Sequence, residues 1–141
     1  MKVLFVCRAN VGRSQIAQAL YSKITSFESA SAGTKVEIEN QKICERPLVK
    51  PVIDFMKKEG IDISQNTTNQ IMPEMLDKFD KIIVMAEPET IPSFLLKNNK
   101  TILWAIEDLL GKNNKTYKKT ISQIKTNIEK LIKDNKNYFT R

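Results

Sequence analysis

The sequence predicts an α/β fold, a three-layer doubly wound domain with a four-stranded parallel sheet and helices on both faces. Three observations carry that reading. Short β-branched-rich runs alternate with stretches of helical spacing along the chain. The first run is continuously apolar, as a strand buried on both faces must be. It passes at once into a small-residue loop and then a helix, the opening of a strand-crossover-strand unit.

The first strand is read over Lys2 to Val6 and the loop over Ala9-Asn10-Val11-Gly12. Ile16, Ala17, Ala19, Leu20 and Ile24 then follow at helical spacing, with Ser14 near the helix start. A short second strand is expected over Glu28 to Ser31, ending at Ala32-Gly33-Thr34. Lys35 to Arg46 is polar and aperiodic. Pro47 opens a helix whose apolar positions Val49, Val52, Ile53 and Met56 lead to Gly60 as its stop. A further helix is expected from Thr68 to Leu76. Phe79 to Met85 and Thr101 to Trp104 read as strands, separated by a segment that Pro88 and Pro92 punctuate. Tyr117, Ile121, Ile124, Ile128 and Leu131 recur every three or four residues and predict a final amphipathic helix.

A chain of 141 residues, 41% hydrophobic, can build one ordinary core and not two, so residues 1–141 are read as a single domain. The apolar run at the start is too brief for a signal-peptide core and nothing later approaches a membrane span, which predicts a soluble, cytoplasmic protein. The two cysteines, Cys7 and Cys44, make neither a disulfide framework nor a zinc site. The absence of histidine does more, because it removes Ser-His and Cys-His nucleophilic pairs, His-ligated metals and histidine bases. Any acid or base is therefore a carboxylate, lysine, tyrosine or cysteine, and no metal or organic cofactor is expected.

The net charge of +7 suggests an anionic partner, but residues 112–141, with nine Lys or Arg against Glu129 and Asp134, account for all of it. Lys112, Lys115, Lys118, Lys119, Lys125, Lys130, Lys133 and Lys136 stand between apolar stripe positions without the interleaved aromatics that stack on bases. A solvated helix face is the expectation, with no nucleic acid and no membrane as partner. The apolar stripe spans too few heptads for a coiled coil, so a monomer is expected.

Chemistry concentrates in Cys7-Arg8-Ala9-Asn10-Val11-Gly12-Arg13-Ser14, where five residues separate a cysteine from an arginine between a buried strand and a helix start. Backbone N–H groups of such a loop converge, and the helix dipole adds partial positive charge, so the segment from Arg8 to Ser14 is a candidate phosphate site. The same dipoles, with Arg13, favour the thiolate of Cys7, which makes it the candidate nucleophile. Arg13 presents a planar fork that can hold two phosphoryl oxygens into the transition state. Asn10 is placed to brace the loop, and the Ser14 hydroxyl to donate to the sulfur. The plainer alternative makes Cys7 a small buried residue at a strand end and Arg13 half of a surface ion pair.

These residues resemble the low-molecular-weight protein tyrosine phosphatase family, including its arsenate-reductase branch. The likeness extends to Ser31-Ala32-Gly33-Thr34, Glu59-Gly60-Ile61-Asp62-Ile63-Ser64, the run Phe79 to Met85, and Trp104 to Lys112. The resemblance implies transfer of a phosphoryl group to Cys7, and an aspartate that protonates the leaving oxygen and then activates water; Asp108 matches it. The family usually follows that aspartate with proline and an aromatic residue, whereas this chain has Leu109 and Leu110, which predicts a less firmly fixed acid loop without aromatic walls.

Within the family, Gln15 stands where phosphatases usually have proline, a feature closer to arsenate reductases. The two additional cysteines of a thioredoxin-coupled relay align with Ala86 and Ser93, so that relay cannot operate; Cys44 reads as a spare cysteine. An arsenate reductase or transferase using an external thiol would need Cys7 alone. Val11 stands where protein-arginine phosphatases have threonine, so phosphotyrosine in a protein, or a small aryl phosphate, is the implied substrate. A non-catalytic oxyanion or acidic-partner binder is the remaining alternative.

Overall fold

The alternation of apolar and helical segments is realised as a four-stranded parallel sheet in the order β2-β1-β3-β4, with β1 Val3–Cys7, β2 Ser29–Gly33, β3 Lys81–Val84 and β4 Thr101–Leu103. These come from a computed structural model that describes residues 1–139; Arg141, included in the charge count above, lies outside them. Every residue of β1 is buried, so its alternation of side chains feeds two separate cores. Val3, Phe5 and Cys7 join one that contains Ile16, Leu20, Val52, Met56, Ile121 and Ile128, whereas Leu4 and Val6 join another with Ile71, Leu76, Ile82, Val84 and Leu95. The first core lies under the longer helices α1 Arg13–Thr25, α2 Lys50–Lys58 and α4 Asn114–Asp134, and the second under the 3-10 turn Pro73–Lys78 and the short α3 Ser93–Leu96. The fold is doubly wound α/β.

Each long helix carries its boundary signals. Ser26, in the left-handed conformation at φ 62, ends α1. Gly60 at φ 82 follows α2, where a residue without Cβ meets no steric penalty. The Asn113 side chain accepts a 3.0 Å hydrogen bond from Thr116 N and so caps α4. Tyr117 stacks on Phe55 with ring centroids 5.2 Å apart, joining α4 to α2.

Several expected elements are shifted or replaced. The second strand runs to Gly33 because Cys7 pairs with Gly33 in the register of β1 and β2. The helix expected to open at Pro47 begins at Lys50, after Leu48 takes a left-handed φ of 66, and Pro51 occupies its first turn. No helix spans Thr68 to Leu76. Backbone groups there are engaged from outside: Thr68 N donates to Gln41 O at 3.0 Å, Asn69 O accepts from Gly33 N at 2.8 Å, and Ile71 N donates to Gly33 O at 2.9 Å. Pro73 also disfavours helical backbone at Met72, and only the 3-10 turn from Pro73 follows. Ile24, assigned to the apolar stripe of the first helix, is exposed in the last turn of α1.

Among the described residues, no helix is long and apolar enough to cross a membrane.

Candidate active site around Cys7 and Arg13

Because β1 lies between β2 and β3, the chain departs to opposite sides of it, and the loop after β1 sits at the switch point where open α/β sheets place their sites. That loop is the Cys7–Ser14 segment. Cys7 ends β1 and Arg13 begins α1, with Gly12 at the N-cap position and no side chain capping the helix, so its first amides remain free of side-chain partners. Cys7 is buried, and its Sγ lies 3.0 Å from Ser14 Oγ.

Asn10 holds the bend. Its φ of 59 is left-handed, a conformation asparagine tolerates better than most residues. Its Nδ2 donates to Ser14 Oγ at 2.7 Å and to Ser31 Oγ at 2.9 Å, and its Oδ1 accepts from Asn69 N at 2.8 Å. The backbone oxygen accepts from Gln15 Nε2 at 3.0 Å, and Gln15 Oε1 accepts in turn from Asn66 Nδ2 at 3.1 Å. Sequence reasoning assigned Gln15 only to a choice between branches. The structure makes it a buried tie between the loop and residues 66–67. Ser31, Asn66 and Asn69 were not identified as site residues; the one available signal was Ser31 in the Ser31-Ala32-Gly33-Thr34 run.

Gly33 belongs to the same architecture. Thr34 N donates to Cys7 O and Lys35 N to Arg8 O, both at 2.9 Å, so the end of β2 lies along the base of the loop. A Cβ on Gly33 would stand 2.6 Å from Arg8 O and 3.0 Å from Asn10 N. Both are backbone atoms that cannot swing aside. Gly33→Ala is expected to cost about 1–3 kcal/mol and lower Tm by roughly 3–10 °C. A thermal unfolding scan coinciding with wild type would refute that packing argument.

Arg13 departs from the sequence expectation. Its side chain, 5% exposed, gives Nη1 to Met85 O at 2.6 Å and to Ile106 O at 3.0 Å, and Nη2 to Glu87 Oε1 at 2.9 Å. Much of the fork expected to be open for an oxyanion is therefore committed to groups after β3 and β4. The ion pair is buried at Arg13, not on the surface. Glu87 was not singled out in the sequence; its signal was position, two residues past a strand expected to end at Met85, at the carboxyl end of a sheet.

Asp108 is exposed, in the segment between β4 and α4, and its Oδ1 accepts from Leu110 N at 3.2 Å. Its neighbours bind it to the loop: Ile106 O receives Arg13, while Leu109 Cδ1 and Leu110 Cδ2 lie 3.7 and 3.6 Å from where a Gly12 Cβ would stand. Leu109 is fully buried in the helix-side core, so the segment expected to be loosely held is anchored by an apolar plug. Burial pushes the Tyr117 phenol above its ordinary value, against a backbone hydrogen bond at Gly111 that lowers it, and the charge of Asp108 adds a smaller upward push.

Cys44 is an exposed free thiol on the turn Ile43–Glu45. Ala86 follows β3 and Ser93 opens α3, so neither supplies a relay thiol. Among the described residues no group of three or more His, Cys, Asp or Glu is arranged to hold a metal ion.

The fold and this loop together define a class: a doubly wound α/β protein with a cysteine and an arginine bracketing a helix N-terminus at the switch point. The chain belongs to the low molecular weight phosphotyrosine protein phosphatase family, whose model matches residues 2–138. It is 29% identical over 130 residues to arsenate reductase 2 of Staphylococcus haemolyticus, covering 90% of this chain and 92% of that protein. It is 26% identical over 137 residues to a glutaredoxin arsenate reductase of Synechocystis, covering 93% and 95%. Among solved structures, a low molecular weight protein tyrosine phosphatase from T. tengcongensis superimposes with a TM-score of 0.78 at 28% identity, over 95% of this chain and 99% of that one.

Proposed function

We propose that the protein is a cysteine-dependent phosphatase that hydrolyses phosphotyrosine or a similar aryl phosphate monoester through a cysteinyl-phosphate. The observation that carries the reading is Cys7 Sγ 3.0 Å from the Ser14 hydroxyl at the start of α1, in a loop locked by Asn10. The thiolate attacks phosphorus in line, forming an S–P bond as the P–O bond to the leaving group breaks. Loop amides and Arg13 take the charge on the three non-bridging oxygens. Asp108 gives its proton to the departing oxygen, then accepts one from the water that displaces Cys7 and releases phosphate. Ser14, able to donate to sulfur, favours the thiolate as nucleophile and again as leaving group.

A second reading has support from the arsenate reductases at 29% and 26% identity and from Gln15. Arsenate would form an ester with Cys7 in the same loop; an external thiol would then attack Cys7 sulfur, releasing arsenite and a mixed disulfide for a second thiol to resolve. The chain has no relay cysteine at Ala86 or Ser93 to do this internally.

The deciding experiment is aryl phosphate hydrolysis in the presence of a chelator, run beside arsenite release with a small thiol. Chelator-resistant phosphate release is the expected result. Asp108→Asn should slow turnover of an alkyl-like, poor leaving group by about 10²–10⁴-fold and that of an acidic phenol much less. Thiol-dependent arsenite release without phosphate ester hydrolysis would replace the first reading by the second.

A further inference from the structure

Glu87 touches Arg13, yet the mechanism leaves it without a task. Its Oε1 holds Arg13 Nη2 at 2.9 Å, and its Oε2 is buried with no hydrogen-bond partner among the described residues. An unsatisfied buried carboxylate oxygen is costly, so the pair is held under a penalty that an alternative arrangement could relieve. The backbone of Glu87 is fixed: Pro88 follows it, its φ of −61 and ψ of 134 are the extended values that proline favours, and its carbonyl accepts from Thr90 Oγ1 at 2.7 Å. Any release of Arg13 must therefore be a side-chain rotation. Room for one exists, because Glu87 lines an open cavity of about 540 Å³ bounded by Pro88, Ile91, Leu103 and Trp104.

Charge supplies the reason for release. A phosphoryl dianion in the loop, the Cys7 thiolate and the Glu87 carboxylate would place three anionic groups around one guanidinium. Arg13 is buried and Glu87 only partly exposed, so the like charges around the guanidinium repel one another. We propose that Glu87 is the resident counter-anion of Arg13, and that a tetrahedral oxyanion entering the Cys7–Ser14 loop takes over the arginine's charge from it. Glu87 is thus a positioning residue acting through Arg13: it keeps the guanidinium paired in the empty site and weakens oxyanion binding by the repulsion it adds. The inference rests on the phosphatase reading, and any oxyanion use of the loop, arsenate included, would meet the same carboxylate.

The test is titration of wild type and Glu87→Gln with inorganic phosphate by calorimetry, alongside thermal unfolding with and without phosphate. Gln keeps an oxygen acceptor for Arg13 and removes the charge. The expected result is phosphate affinity tightened about tenfold, a lower Tm for the empty variant, and a larger phosphate-induced rise in Tm than in wild type. Glu87→Asp, which keeps the charge, should bind phosphate within about twofold of wild type. A merely structural role would lower Tm without tightening phosphate. Equal or weaker binding by Glu87→Gln overturns the inference while wild-type binding and hydrolysis leave the phosphatase reading intact. If Glu87→Gln folds only when phosphate is present, the exchange of counter-anions stands; if it stays unfolded with phosphate, it falls. Absence of phosphate binding in both proteins, with no hydrolysis, removes the functional reading and this inference together.

Discussion

Cys7→Ser is expected to lower aryl phosphate turnover by roughly 10⁴-fold or more, while inorganic phosphate still binds. The two halves of that result separate chemistry from recognition. A serine hydroxyl is not ionised by a field that suffices for a thiol, so the nucleophile is lost. The groups proposed to hold the anion are backbone amides and Arg13, and these do not depend on the sulfur. Asn10 Nδ2 still has Ser14 Oγ and Ser31 Oγ as acceptors at 2.7 and 2.9 Å, so the bend of the loop survives the substitution. Steady-state kinetics and phosphate titration on one preparation measure both. Turnover within tenfold of wild type would remove Cys7 from the chemistry; loss of phosphate binding would mean that the sulfur shapes the site.

The loop was legible because its signals are local. A buried apolar strand, a run of small residues and a helix start leave few alternatives for the backbone between Cys7 and Ser14, which is the strand, loop and helix start that the structure shows. The alternation of elements was legible for the same reason, as was the stripe of Tyr117, Ile121, Ile124, Ile128 and Leu131, every one of them buried in α4. What failed was decided at a distance. Thr68 to Leu76 has apolar spacing compatible with a helix, but its amides and carbonyls are claimed by Gly33 and Gln41, partners between 27 and 38 residues away that no local pattern announces. The orientation of Arg13 is of the same kind. Its partners Met85, Glu87 and Ile106 come from the ends of two other strands, and only the assembled sheet brings them together.

Leu109 shows a local inference reversed by packing. Replacing a proline with leucine removes a backbone constraint, and from the sequence that loosens the segment carrying Asp108. In the fold the leucine is fully buried beside the helices, so the hydrophobic effect supplies a constraint of another sort. The segment then touches both Gly12 and, through Ile106 O, Arg13, which couples the candidate acid to the candidate anion site.

Arg13→Lys is expected to reduce kcat/KM by about 10²–10³-fold and to weaken phosphate binding by at least about tenfold. The guanidinium serves Met85 O and Ile106 O with one nitrogen and Glu87 with another, so its planar fork spreads contacts over three acceptors and keeps further N–H groups for an oxyanion. A lysine ammonium has three donors on a single atom. Placed in the same pocket, it must satisfy the Glu87 carboxylate and two carbonyls or leave buried acceptors unpaired, and nothing remains to follow charge developing on the phosphoryl oxygens. The substitution preserves net charge, so a purely electrostatic role would survive it with little loss. Measured kcat/KM within about threefold of wild type would therefore place Arg13 outside the transition state and leave it as a buried structural cation. A large loss in kcat/KM with an unchanged Tm would locate its contribution in the bidentate geometry that lysine cannot reproduce.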